Sequence, residues 1–274
     1  MKLLTGIKQA CPFLLALLVA FVVAQLSVGF MRSLEVRVGD KIWQWVATAS
    51  ETEQRLVIVD IDEASIARYG AWPWPRGRVA KLSNLIAKQG ASLQIFDMLF
   101  AAEKQGDEQL VSQFKSQQTV LAQILAIDAD DKTQAGVLSA GEENKGCNTL
   151  YPKANAYIAN NKKITAAVPS IGHITPTIDD DGVVRRMPAY ICRQQKAYPA
   201  LALSALASAI GGSSDYELHE SDAWLAPKRQ LRHAQLPEIT IPLGEQGEIL
   251  LPWWLSRNAL VSISAMELLE GNAS

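Results

Sequence analysis

The chain has 274 residues, of which 49% are hydrophobic and 20% are charged, and its formal net charge is −2. This near-neutral balance argues against a nucleic-acid-binding protein. Three cysteines are too few for a disulfide scaffold or a four-cysteine zinc site, and three histidines limit histidine-rich metal sites. The length is ample for one or two globular domains with a real core.

The first predicted element is a membrane anchor. Residues 11–31 carry no charged side chain, and a helix of this length rises roughly 30 Å, which is enough to cross a bilayer core. Lys2 and Lys8 precede the segment, which favours a cytoplasmic amino terminus. The alternative is a cleaved signal peptide, with residues 22–24 as its cleavage site. Because the apolar stretch continues past that site, we interpret residues 1–32 as a cytoplasmic start followed by a single uncleaved span.

An amphipathic juxtamembrane helix is predicted over residues 33–54. Leu34, Val38, Ile42 and Trp45 recur at spacings of three and four, which is typical of one helix face. A homodimer formed through this helix is a possible partner arrangement. If dimerisation through this helix is the main role of the chain, the chain is a structural dimerisation module, which is one alternative function.

The next residues predict alternating strands and helices. The predicted strands are 55–62, 92–97 and 119–126, and the helices between them are 76–89 and 108–118. The first strand is continuously apolar, which is typical of a strand buried on both faces of a parallel sheet. This alternation predicts an α/β, doubly wound fold with a mainly parallel sheet, preceded by one transmembrane helix. The extracytoplasmic domain is expected to cover residues 55–274.

The second half predicts a less regular, antiparallel C-terminal part. Residues 128–163 are polar and show no period, which indicates an insertion or a long surface loop. Residues 183–193 are strand-like, and residues 198–211 are helical. Residues 238–241 and 248–251 flank a glycine-containing turn and predict a hairpin. Ser264 is the expected N-cap of a short final helix.

Carboxylates follow two of the predicted strands. Asp60, Asp62 and Glu63 come at the end of the first strand, and Asp97 ends the second. Ligands bind at this edge of open α/β sheets, so all four are candidate ligand-binding residues. No cofactor is expected, although Asp60, Asp62 and Asp97 could hold Mg²⁺ or Ca²⁺. The alternative is a structural cluster, in which these carboxylates cap helices and pair with Arg76.

The segment from Trp72 to Arg76 reads Trp-Pro-Trp-Pro-Arg, and it supplies three more candidate ligand-binding residues: Trp72, Trp74 and Arg76. The residues before the two prolines are restricted to extended backbone, and Pro75 suits the first position of a helix. The rings would then cover the sheet edge, and Arg76 would reach the carboxylates. The alternative is an aromatic plug that closes the core.

The Asp60-x-Asp62 spacing after an apolar strand also raises an enzymatic alternative. It resembles the start of the haloacid-dehalogenase-like pattern of metal-dependent phosphohydrolases. In that family the first Asp attacks phosphorus and the second is an acid–base catalyst. The later lysine and acidic pair of the pattern have no counterpart in order here. We therefore expect the chain not to be an enzyme.

Cys147 and Cys192 are the only cysteines in the predicted extracytoplasmic part. An oxidising compartment permits a disulfide between them. Spacing alone does not show that two cysteines meet, so the bonded and the free forms both stay open.

Three sequence blocks resemble the type-two CHASE family, the cyclase/histidine-kinase-associated sensory extracellular domains. The first block runs through residues 59–63, 72–76 and 96–100, the second through 181–186 and 198–202, and the third through 261–271. The resemblance implies a periplasmic sensory domain, anchored in the bacterial inner membrane by a single amino-terminal span. Such a domain is the input part of a signal-transduction protein.

The resemblance also implies an output that is absent from this chain: a cyclase, a diguanylate cyclase or phosphodiesterase, or a kinase. Family members commonly continue into a last strand and several membrane helices, so the carboxyl-terminal end at Ser274 is expected to be incomplete. The resemblance brings no catalytic residues and no general ligand. The expected stimulus is an unknown small molecule.

Overall fold

The computed structural model describes residues 23, 37–42, 45, 53–128, 130–143, 145–147, 149–212, 215–222, 227–251 and 259–271. Apart from Val23, the predicted anchor lies outside these residues. In the part of the chain that is described, no helix is long and apolar enough to cross a membrane. The chain divides into two compact units, Met1–Glu53 with Pro252–Ala259 and Gln54–Leu251 with Leu260–Ser274. In the smaller unit, residues 37–42 are helical.

The larger unit contains both helices and strands, and strands predominate in its second half. Its described helices are α1 (Glu63–Tyr69), α2 (Arg76–Lys88), α3 (Asp107–Ser116), α4 (Lys162–Ala167), α5 (Leu201–Ala209) and α6 (Ala265–Glu270). The strands of the first half are β1 (Glu53–Asp60), β2 (Gln94–Phe96), β3 (Thr119–Ala126), β4 (Gln134–Ala135), β5 (Glu142–Glu143), β6 (Ala156–Ile158), β7 (Ser170–His173) and β8 (Thr177–Ile178). Those of the second half are β9 (Val184–Pro188), β10 (Tyr190–Arg193), β11 (Lys196–Pro199), β12 (Tyr216–Glu220), β13 (Arg229–His233), β14 (Leu236–Leu243), β15 (Glu248–Leu250) and β16 (Leu260–Ser264). The mixed α/β class predicted from the sequence is confirmed.

Strand β3 is the centre of the largest sheet. It pairs in parallel with β2, where Ile95 lies opposite Val120, and with β7, where Leu121 lies opposite Ile171. Its carboxyl-terminal half pairs antiparallel with β6. A strand with apolar side chains on both faces requires cover on both sides, and Leu121 and Val120 are indeed fully buried.

Strand β1 departs from its prediction. The sequence places it beside the strand that ends at Asp97, but among the described residues β1 is hydrogen-bonded to β16 and not to β2. Leu56, Val57 and Ile58 are between 43% and 55% exposed, so the predicted burial on both faces is not observed. An apolar run predicts a strand, but it does not specify which strand becomes its neighbour, since that choice depends on distant residues.

The second half consists of small antiparallel sheets with the orders β10-β11-β5, β12-β13-β14 and β15-β9-β8, which confirms the antiparallel C-terminal part. The predicted hairpin over residues 238–251 is wrong, because β14 pairs with β13 and β15 pairs with β9. The stretch interpreted as an insertion, residues 128–163, contains β4, β5 and β6. Strand β6 joins the central sheet through β3.

Two large hydrophobic cores and a smaller one around Leu125 and Ile191 fill the larger unit. The first lies around α2, α3 and α6 and includes Trp74, Phe100 and Phe114. The second lies in the antiparallel half, around Tyr190 and Leu203. Cys147 and Cys192, both buried in the second core, form a disulfide with an S–S distance of 2.04 Å.

Candidate functional site

Asp62 acts as a helix cap at the end of β1. Its carboxylate accepts a hydrogen bond from the Ser65 backbone N–H at 2.8 Å, which satisfies the open first turn of α1. The Ser264 hydroxyl donates to the same carboxylate at 3.0 Å. Hydrogen bonds from Ser65, followed by the one from Ser264, hold the pKa of Asp62 below its usual value. These contacts join the first turn of α1 to the first turn of α6, since Ser264 is also the N-cap of α6.

The predicted carboxylates do not converge. Asp60 ends β1 and Glu63 lies exposed in the first turn of α1, whereas Asp97 is exposed after β2. Because β1 and β2 are not paired in the described structure, the two strand ends are not adjacent in one sheet. No three acidic, histidine or cysteine side chains among the described residues lie close enough together to hold a metal ion. Asp60, Asp62 and Asp97 therefore do not form, in this structure, the Mg²⁺ or Ca²⁺ site that the sequence left open as an alternative.

Arg76 is buried, but its partner differs from the predicted one. Its Nε donates to a carboxylate oxygen of Asp107 at 2.9 Å, and both side chains are only 4% exposed. Its Nη2 donates to the Ala102 carbonyl at 3.1 Å, and its guanidinium lies 4.6 Å from the centre of the Phe100 ring. The prediction that Arg76 compensates the carboxylates after β1 and β2 is wrong, because Arg76 pairs with Asp107, the first residue of α3.

The two tryptophans have different environments. Trp74 is buried in the first core, and its indole N–H donates to the Gly70 carbonyl at 2.8 Å. Its ring packs edge-on against Tyr69, with centroids 5.8 Å apart. Trp72, which precedes a cis peptide bond to Pro73, is partly exposed. The geometry of Trp74 matches the aromatic plug that the sequence left as an alternative.

Asp107 is the residue that sequence reasoning missed. Besides Arg76, it accepts hydrogen bonds from the Lys104 backbone N–H at 3.0 Å and from the Asn161 side chain at 3.0 Å. It thus joins the first turns of α2, α3 and α4. An acidic residue in the first turn of a helix is common, and nothing in the sequence distinguishes Asp107 from such a residue.

An open groove of about 850 Å³ lies between the amino-terminal ends of α2 and α3, and Asp107 of the ion pair with Arg76 is one of its lining residues. Neither Pro75 nor Gly106, the N-cap residues of these helices, provides a side-chain hydrogen bond to the first turn. The lining residues include Pro75, Gly77, Lys104, Gly106, Glu108 and Lys163. Open helix amino termini favour anions, and two lysines add positive charge, although Lys163 lies 3.5 Å from Glu108.

Gly77 and Gly106 bring the two helix ends close together. A Cβ atom on Gly106 would lie 3.0 Å from the Cβ of Arg76 and 3.2 Å from the backbone nitrogen of Gly77. Gly106 also has a positive φ of 91°, a conformation that glycine adopts readily. The absence of side chains at Gly77 and Gly106 therefore allows the first turns of α2 and α3 to approach closely at the base of the groove.

The family model described as the CHASE2 domain matches residues 15–274. The chain therefore belongs to the CHASE2 family, which confirms the resemblance noted in the sequence. CHASE2 domains are sensory extracellular domains of signalling proteins. Neither the comparison with curated proteins nor the comparison with solved structures gives a match.

Proposed function

We propose that the chain is a membrane-anchored periplasmic sensory domain and the input part of a bacterial signal-transduction protein. The observation that carries the proposal is the CHASE2 match, which extends over residues 15–274 and so includes most of the predicted anchor. Its partners are the inner membrane, crossed once, and an unidentified small-molecule stimulus. Its output is a cyclase, a diguanylate cyclase or phosphodiesterase, or a kinase.

In this proposal the domain signals by a shift between two conformations. A stimulus can move such an equilibrium only by the difference between its affinities for the two states. This mechanism requires no catalytic step. The candidate binding features are Trp72 and the groove between α2 and α3. The CHASE2 match supports a sensory role more strongly than the isolated Asp60-x-Asp62 spacing supports a phosphohydrolase.

A reporter fusion tests the proposed topology. One reporter enzyme that is active only outside the cytoplasm, and one protein that fluoresces only inside it, are each fused after Ser274. We expect activity from the first and no fluorescence from the second. The matched control lacks residues 1–31 and should reverse both results. Fluorescence from the full-length fusion would contradict a periplasmic domain.

A homodimer is the arrangement that we propose for the juxtamembrane helix. Val38 and Ile42 are each 53% exposed and Trp45 is 89% exposed; each of these three residues is helical, and they are spaced by four and three along the sequence. Two copies anchored in one membrane would present this face in parallel orientation. A Val38→Cys variant should cross-link as a dimer in membranes. Asp40→Cys should cross-link less, because two residues along a helix place Asp40 on nearly the opposite face from Val38. Equal cross-linking of both variants would argue against this interface.

A further inference from the structure

His173 ends strand β7 in the interior of the larger unit. Its side chain is fully buried, the Pro188 carbonyl lies near the ring, and neither Nδ1 nor Nε2 forms a hydrogen bond of good geometry. Burial lowers the pKa of His173 to about 3, and the weak contact with the Pro188 carbonyl opposes this effect. Buried polar atoms are nearly always hydrogen-bonded, so an imidazole without a well-formed hydrogen bond is an exception that requires an explanation.

His173 lies where strand β7 (Ser170–His173) packs against helix α5 (Leu201–Ala209), and this contact surface is called the seam. Ile171 of β7 belongs to the first core, whereas Ala200 and Leu203, at the start of α5, belong to the second. His173 itself forms an isolated parallel bridge with Ala200. The imidazole is thus packed where the two cores meet.

Small and hydroxyl-bearing residues form this seam. Gly172 approaches α5 so closely that a Cβ atom would lie 2.5 Å from the Cα of Leu201. The Ser208 and Ser170 hydroxyls are 2.7 Å apart, and the Ser204 hydroxyl donates to the Ile171 carbonyl at 3.2 Å. Water can replace these hydrogen bonds when the seam opens.

No acidic side chain faces His173 from the elements that pack against it. Strands β7 and β3 and helix α5 contain no ionisable residue other than His173 itself. Strand β11 contributes Tyr198 and Lys196, and the latter donates to the Ala140 carbonyl. On β9, whose last residue is Pro188, Arg185 and Arg186 are engaged with Asp179. A proton on the packed imidazole would therefore add an uncompensated buried charge.

We propose that acid opens the seam between β7 and α5 through protonation of His173. The imidazole packs at the junction only when it is neutral, and the imidazolium is stable only after the seam has opened to water. The two cores then separate along this seam. This inference concerns the fold alone, and it stands or fails independently of the proposed sensory function.

The direction and size of the effect follow from linkage. The closed state holds a histidine with a pKa of about 3, and an imidazole in water has a pKa near 6.5. The open state therefore binds more protons, and acidification favours opening by up to about tenfold for each pH unit below 6.5. Between pH 7.5 and pH 5.0 the opening equilibrium constant should rise about thirtyfold.

Hydrogen exchange of the full chain, measured by mass spectrometry at both pH values with labelling times corrected for intrinsic exchange, tests the proposal. Peptides covering β7 and α5 should lose about thirtyfold in protection at pH 5.0, whereas peptides covering α2 should change much less. His173→Gln removes the titrating group and should abolish the difference between the two pH values. The matched control is His233→Gln, which changes another buried histidine, on β13, and should behave as the wild type does.

The wild type alone can overturn the proposal. Equal protection of β7 and α5 at the two pH values would refute acid opening, and a uniform loss across all peptides would refute opening at this seam. If His173→Gln does not fold, His173→Phe offers a non-titrating ring of similar shape for the same comparison. A variant that retains the full pH dependence of the wild type would assign the effect to another group.

Discussion

The buried ion pair between Arg76 and Asp107 is expected to be the most sensitive electrostatic contact of the fold. Asp107→Asn keeps the size of the side chain but removes its charge. Arg76 would then keep a buried charge, 4% exposed, with only neutral partners: the Ala102 carbonyl, the Phe100 ring and the amide that replaces the carboxylate. Breaking a buried pair by removing one partner costs about 3–5 kcal/mol, because the other charge stays buried without compensation.

Urea denaturation followed by tryptophan fluorescence measures this loss, since Trp74 is buried in the same core. With a denaturant dependence of about 2 kcal/mol per molar, the midpoint should fall by roughly 2 M. The matched control is Glu270→Gln, which breaks the ion pair with Arg68, whose side chain is 64% exposed. That variant should leave the midpoint almost unchanged, because exposed pairs contribute little.

The effects of replacing Arg76 and Asp107 on the free energy of unfolding should be coupled. Arg76→Met leaves the Asp107 carboxylate buried, but that carboxylate keeps its hydrogen bonds from Lys104 and Asn161. The double variant Arg76→Met/Asp107→Asn should lose less free energy of unfolding than the two single variants do together. A loss in Asp107→Asn no larger than in Glu270→Gln, or strictly additive losses, would refute this account of the ion pair.

Three further predictions concern the disulfide, the groove and the absence of catalysis. Replacing both Cys147 and Cys192 by Ala should lower the free energy of unfolding by about 4 kcal/mol in urea, since the bond spans 45 residues; an unchanged midpoint would contradict it. Gly106→Ala should lower the melting temperature more than Gly90→Ala, because both have positive φ but only Gly106 has close neighbours; equal losses would count against the close approach. The purified chain should hydrolyse no phosphate monoester with Mg²⁺, and turnover that disappears in Asp60→Asn would support the phosphohydrolase alternative.

Local elements were predictable where periodicity and end signals agree. The helix predicted over 76–89 is observed as Arg76–Lys88, and the strand predicted over 119–126 is observed as Thr119–Ala126. Pairing was not predictable, because the partner of β1 is β16, which lies about 200 residues further along the chain. The hairpin predicted at residues 238–251 failed for the same reason, since β9 takes β15 as its partner.

In the candidate site, too, individual residues were predictable from the sequence but their partners were not. Trp74 and Arg76 were recognised as unusual residues, and both are buried. The carboxylate that pairs with Arg76 was not found, because Asp107 is distant in sequence and resembles any acidic residue at the start of a helix. Convergence of Asp60 with Asp97 was inferred from a strand order that the structure does not have. Side-chain chemistry was therefore readable from sequence, but the partner of each side chain was not.

Residues 55–274 are proposed to fold outside the cytoplasm as a sensory domain, and the oxidation state of the thiols in intact cells reports this location. Cells that express the full chain are quenched with acid, and free thiols are counted under denaturing conditions by the mass added by a maleimide polymer. We expect one modified cysteine, Cys11, because Cys147 and Cys192 are bonded. A variant without residues 1–31 should stay in the reducing cytoplasm and show two free thiols. Three modified cysteines in the full chain would contradict a domain folded outside the cytoplasm.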